Sequence, residues 1–167
     1  MKTISIGLLG LGTVGTGVVK IINDHQDKLM HQVGCPVVIK KILVKNLNKS
    51  RSIELETSKL TTVAEDILDD PDIDVVIEVM GGTGVTKDYL LKALMSGKHV
   101  VTANKDLMAL HGSELLRVAS ENGCDLFYEA SVAGGIPILR SLVDGLASDR
   151  VTKMMGIVNG TTNYILT

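Results

Sequence analysis

The sequence predicts an α/β fold, a doubly wound and mostly parallel sheet with helices on both faces. Three observations predict it. Short apolar, β-branched runs alternate with stretches of helical periodicity from the first residues onward. The runs are mostly apolar instead of strictly alternating in polarity, as strands covered on both faces are. A glycine-rich turn joins the first apolar run to the first helical stretch.

The elements follow in order. Ile4 to Leu9 is an apolar run ending in glycines and reads as a buried strand. Val14, Val18, Ile21, Ile22 and Leu29 recur at helical spacing, which predicts one helix from residue 14 to about 30. Val37 to Val44 is a second strand, and the polar stretch from Lys45 to Lys59 a surface loop. Val63 to Leu68 predicts a short helix stopped by Asp69-Asp70-Pro71. Val75 to Val79 is a third strand. Val85, Tyr89, Leu90, Ala93 and Leu94 mark a helix ended by Gly97. His99 to Thr102 is a strand, Leu115, Leu116 and Ala119 mark a helix stopping near Gly123, and Leu126 to Tyr128 is a further strand. After Pro137 the pattern changes. Ile138, Leu139, Leu142, Val143 and Leu146 predict an amphipathic helix, followed by a strand-like run from Val151 to Val158.

A chain of 167 residues has room for one ordinary domain and a small piece of another. Residues 1–137 are expected to form the first domain, and residues 138–167 a connecting helix and the start of a second unit. The last residues, NGTTNYILT, read as a helix capped by Thr161 or Thr162 and beginning at Tyr164. A truncation just inside the next structural unit is the expectation there, with self-association through that segment or weak order after about residue 158.

Composition narrows the function. A net charge of -2 offers no field for nucleic acid or an anionic membrane, and one Phe, three Tyr and no Trp provide no stacking platform. No apolar run approaches the ~18 residues of a membrane span. Cys35 and Cys124 form no paired motif and read as reduced, buried thiols of a cytoplasmic protein. His25, His31, His99 and His111 show no metal-ligand spacing.

Gly10-Leu11-Gly12-Thr13-Val14-Gly15 matches G-x-G-x-x-G, after a predicted strand and at the opening of a predicted helix. That context gives the motif its meaning as a Rossmann-type dinucleotide-binding turn. Gly10 permits the tight turn, Gly12 lets backbone approach a pyrophosphate, and Gly15 lets helix pack on strand. The free amides and positive dipole of the helix start face the phosphates. The end of the second strand discriminates cofactors. An NAD site places an acid there, whereas this chain has Val44-Lys45-Asn46, then Lys49 and Arg51. Lys45 suits a 2′-phosphate, so NADP(H) is favoured and NAD(H) remains possible. The alternative is a solvated basic loop.

Five segments together resemble homoserine dehydrogenases: GLLGLGTVGTGVV at the start, EVMGG at 78–82, SGKHVVTANKDLMALHG at 96–112, YEASVAGGIPILRSL at 128–142 and GIVNGTTNYILT at 156–167. They occur in that family's order and are spread along nearly the whole chain. The resemblance implies the reversible NAD(P)-linked interconversion of L-aspartate 4-semialdehyde and L-homoserine, in threonine and methionine biosynthesis. It also implies that Gly81 and Gly82 lie beside the cofactor ribose and nicotinamide, where the residues alone allow an ordinary turn. Lys105 is implied to contact cofactor and substrate and to act in catalysis, by stabilising an alkoxide or relaying a proton. On sequence alone it could be a surface lysine. The segment from Glu129 to Pro137 resembles the family's monovalent-cation loop, with sodium held by the carbonyls of Glu129, Val132, Gly134 and Ile136. The plain alternative is a strand-to-helix turn with Pro137 at the first helical position.

The resemblance departs in length. The family continues into a substrate-binding and dimerisation domain carrying an acidic substrate ligand and an Asp and Lys for proton transfer. A homodimer with a small-molecule substrate is therefore implied for the longer protein, and poor activity for this chain alone. Another amino-acid oxidoreductase with the same first domain, such as an aspartate dehydrogenase-like enzyme, is the second reading, and NGTTNYIL argues against it. A non-catalytic dinucleotide-binding module is the third. A thiol-dependent aldehyde dehydrogenase would need an activated cysteine, and Cys124 has no histidine near it in sequence. A methyltransferase would want an acid after the second strand.

Overall fold

The structure is a computed structural model and describes residues 2–157. Six parallel strands form one sheet: β1 (Ile4–Leu9), β2 (Val37–Leu43), β3 (Leu60–Thr61), β4 (Val75–Glu78), β5 (His99–Thr102) and β6 (Leu126–Phe127). Their order is β3-β2-β1-β4-β5-β6. The winding direction reverses between β1 and β4, which pair in parallel with Leu9 opposite Glu78. This reversal is what opens a crevice at the carboxyl ends of the strands.

Successive side chains of a strand point to opposite faces, so β1 feeds two cores. Ile6 and Leu8 join Val19, Ile22, Ile39 and Ile42 on one face. Leu9 joins Val76, Val100, Leu90, Leu107 and Leu115 on the other. The first face carries α1 (Thr13–Asp24), with α2 (Gln26–Val33) following it. The second carries α3 (Glu65–Leu68), α4 (Val85–Met95) and α5 (Lys105–Glu121). Although α3 has only one turn, Ile67 and Leu68 are fully buried. Truncating either to alanine would cost about 2–5 kcal/mol.

The helix ends are chemically specified. Gly97 and Lys98 donate N–H to Leu94 and Ala93, and Gly123 and Cys124 donate to Ser120 and Ala119. Both sets close a helix on a left-handed glycine, at φ 77 for Gly97 and φ 65 for Gly123.

Four sequence expectations are corrected. The single helix from residue 14 breaks at His25, with φ -121. There the Gln26 amide donates to the Ile22 carbonyl at 2.7 Å and to Val37 at 3.0 Å, tying the break to β2. Its buried line is Gly15, Val19 and Ile22, while Val14 and Ile21 are more than half exposed. The helix expected around Leu115 begins ten residues earlier, at Lys105. Cys124 is buried but Cys35 is only half-buried. The run from Val151 forms no strand through residue 157. A strand needs a partner for its amides, and the described residues offer none. Met154, Met155 and Ile157 are accordingly exposed. The helix after Pro137 forms as α6 (Ile138–Val143) but buries none of its residues. The expected capped turn at Tyr164 lies outside the described residues. Among the described residues, no helix is long and apolar enough to cross a membrane.

Candidate dinucleotide-binding cleft

At the end of β1 the chain turns through Gly10, at φ 105, whose N–H donates to the Leu43 carbonyl at 3.1 Å. No L side chain fits there. A Cβ on Gly10 would lie 2.9 Å from the Cα of Met80, so β1 and the segment after β4 meet backbone to backbone. A Cβ on Gly15 would collide with the carbonyl oxygen of Gly10, so the start of α1 is seated on the turn. Gly12 differs. A Cβ there would meet nothing within 4 Å. Gly12 is also the N-cap of α1, without a side-chain cap, so the first-turn amides, including those of Thr13 and Val14, have no helical acceptor. Free amides, a positive helix end and open space coincide, which is what an anionic phosphate needs.

A cleft of about 540 Å³ lies over this turn. Gly10, Leu11 and Gly12 form one side, Val79, Met80, Val85 and Tyr89 another. The third side is the segment after β2, where Lys45, Asn46, Lys49 and Arg51 line the space with no acid among them. The three cations play different parts. The Arg51 guanidinium donates to the carbonyls of Asn46 (2.6 Å), Lys49 (2.8 Å) and Leu47 (3.0 Å), folding the loop over itself. The exposed Lys45 and Lys49 side chains make no hydrogen bond or ion pair among the described residues, leaving their charges for a ligand.

Across the switch point, β4 ends in Glu78, which is fully buried. Its carboxylate accepts the N–H groups of Met80 (2.8 Å) and Gly81 (2.9 Å) and the hydroxyl of Thr102 (2.6 Å). Gly81 and Gly82 follow at φ 75 and 78. Their carbonyls accept from Thr86 Oγ1 and Asn104 Nδ2, each at 2.7 Å. Asn104 also caps α5 by accepting the Leu107 N–H at 3.1 Å. Lys105 is therefore the exposed first residue of α5, one residue from a direct bond to the Gly82 carbonyl. A cation at a helix start is opposed by the macrodipole, so Lys105 does not serve the helix.

Gly10, Gly12 and Lys45 thus meet in one cleft. Thr13, Val14 and Gly15 form the first turn of the helix beneath it. Gly81, Gly82 and Lys105 are joined to one another through Asn104 on the β4–β5 side. The segment from Glu129 lies apart, after β6. The Glu129 carboxylate accepts the N–H groups of Leu139 (2.9 Å) and Arg140 (2.8 Å) and so caps α6. The Glu129 carbonyl accepts the Val132 N–H at 3.2 Å, and the Ile136 carbonyl accepts the Ile138 N–H at 2.9 Å. Ala133 and Gly134 both have positive φ, at 52 and 60. Burial, and secondarily the Asp125 charge, pushes the Cys124 thiol up, away from nucleophilic reactivity.

Residues 10–129 match the model of the homoserine dehydrogenase NAD-binding domain, and residues 137–167 match that of homoserine dehydrogenase proper. The chain belongs to the homoserine dehydrogenase family. It is 72% identical over its whole length to a homoserine dehydrogenase of Bacillus subtilis. It is 43% identical, over 99% of its length, to one of Lactococcus lactis. A homoserine dehydrogenase structure from Thiobacillus denitrificans covers 99% of the chain at 40% identity with a TM-score of 0.87. The chain spans 39% of each of the two curated homoserine dehydrogenases and 38% of that structure.

Sequence reasoning missed Glu78, Thr86, Thr102 and Asn104 as parts of the site. Glu78 carried a signal, a lone acid inside the apolar run VVIEVM. Asn104 carried one too, as an N-cap residue directly before Lys105.

Proposed function

We propose that this chain is the dinucleotide-binding part of an enzyme that interconverts L-homoserine and L-aspartate 4-semialdehyde, with NADP(H) preferred over NAD(H). The observation that carries the reading is the cleft over Gly10 and Gly12 at the strand-order reversal, in a chain so close to proteins named homoserine dehydrogenase. A nicotinamide dinucleotide, when bound, supplies or accepts the hydride exchanged with the substrate carbon. The chain's own residues do the rest. The first-turn amides of α1 hold the pyrophosphate, and Lys45 pairs with a 2′-phosphate. Gly81 and Gly82 leave room for the other ribose. Lys105 stabilises negative charge on the substrate oxygen or moves a proton to it. At the length of its relatives the protein would gain the substrate's remaining contacts and a homodimer interface from residues that this chain lacks, and would work in the cytoplasm in threonine and methionine biosynthesis.

The loop from Glu129 to Ile136 offers a monovalent cation such as sodium the right donor type, neutral carbonyl oxygens. The carbonyls of Glu129 and Ile136 each already accept one N–H. Each has a second lone pair to give, so the cation would share them. Thermal melting of the chain in sodium against a bulky organic cation tests this part, with stabilisation by sodium expected.

The test of the whole is nicotinamide reduction by the protein at the length of its relatives, with homoserine as substrate. Turnover with homoserine is the expected result. Turnover with aspartate but not homoserine would establish the aspartate dehydrogenase-like reading instead.

A further inference from the structure

Glu78 is out of place by composition. It ends a strand otherwise made of Val75, Val76 and Ile77, and none of it reaches solvent. A buried charge is weak evidence for stability, since an apolar side chain of similar volume is often as good or better. What a buried charge can do is select one geometry, and its partners show which. One oxygen takes the N–H groups of Met80 and Gly81. The other takes the Thr102 hydroxyl, whose oxygen accepts the Asn104 N–H at 3.1 Å. The Asn104 side-chain amide donates back to the Gly82 carbonyl, and the Thr86 hydroxyl donates to the Gly81 carbonyl. The ring closes on two consecutive glycines in the left-handed region, and no buried side-chain nitrogen or oxygen among the described residues lacks a partner.

The place of this ring is specific. A dinucleotide lies across the reversal point with one nucleotide over each half of the sheet. Lys45, after β2, belongs to the adenosine half. Gly81, Gly82 and the start of α5 belong to the other half, which takes the nicotinamide nucleotide. We infer that Glu78 is a positioning residue for the nicotinamide half of the cofactor, holding Gly81-Gly82 and the Lys105 helix start in register through Thr102 and Asn104. The inference rests on the dinucleotide reading above and deepens it.

The test compares two ligands on the chain itself, by calorimetric titration: NADPH, and adenosine 2′,5′-bisphosphate, which lacks the nicotinamide nucleotide. Glu78→Gln keeps the shape but replaces one acceptor oxygen with a donor, so the Thr102 hydroxyl loses its acceptor. It is expected to weaken NADPH about tenfold or more, the loss of about one hydrogen bond to a charged group, and to leave the bisphosphate within about twofold. Asn104→Ser keeps a helix cap but removes the bond to Gly82, and the same split is expected from it. Equal weakening of both ligands, or an unchanged NADPH affinity, would overturn the inference. If Glu78→Gln shows no cooperative thermal transition, the Asn104→Ser split decides alone. A wild-type chain binding neither ligand would overturn the dinucleotide reading, and this inference with it.

Discussion

Gly12→Ala separates binding from folding. The new methyl would meet nothing within 4 Å, and Gly12 has an ordinary φ of -87. The stability cost is that of exchanging glycine for alanine at an N-cap, no more than about 1 kcal/mol. For a domain of this size that lowers Tm by about 2–4 °C. The same methyl occupies the space where a pyrophosphate approaches the first-turn amides. Displacing it from one such amide forfeits a hydrogen bond to a charged group, about 1.5–3 kcal/mol, or about 10- to 100-fold in Kd. Gly15→Ala is the control of opposite sign. Its methyl collides with the Gly10 carbonyl, a backbone atom that cannot swing away. Overpacking of about 2–3 kcal/mol lowers Tm by about 5–10 °C. Melting curves and NADPH titrations of both variants are the assay. A Gly12→Ala chain with wild-type affinity would refute the phosphate placement. A Gly15→Ala chain with wild-type Tm would refute the seating of α1 on the turn.

Lys45→Glu should weaken NADPH more than NADH, read from parallel titrations, and equal losses would remove the 2′-phosphate assignment. Lys105→Ala, made in the protein at the length of its relatives, should lower kcat/KM for homoserine at least about tenfold, and an unchanged value would leave Lys105 without a catalytic part. Asp70→Asn reports on the pair with Lys40 at 2.8 Å. Burial pushes the Asp70 carboxyl up, but the Lys40 hydrogen bond, the Asp72 N–H and the charges of Lys40 and Lys98 together hold the group below the ordinary carboxylate range. A depressed folded pKa stabilises above the unfolded value and is lost as pH falls through the folded one. The wild-type advantage in Tm should therefore be present at neutral pH and decline progressively as pH falls below about 4; an advantage independent of pH would contradict it.

What the sequence revealed was local. The turn at Gly10 to Gly15, the apolar strands and the glycine helix stops are set by neighbours in the chain, and each was legible. The break at His25 was not, because it depends on Gln26 reaching Val37 in the next strand. The two residues of β3, just past the polar loop, were invisible, since only pairing with Ile42 and Leu43 makes them a strand. Lys45 was read from its place after the second strand, and the structure puts it on a wall of the cleft. Nothing in the chain's local pattern told Arg51 from Lys45 and Lys49, whereas in the fold it donates three hydrogen bonds to loop carbonyls. The Glu78–Thr102 bond joins residues 24 apart, across two strands that no local pattern pairs.

The most direct measurement of the central claim is calorimetric titration of this chain with NADPH and NADH in parallel. Saturable one-to-one binding of both, tighter for NADPH, is the predicted result. Binding of neither would contradict the claim that the cleft over Gly10 and Gly12 is a dinucleotide site.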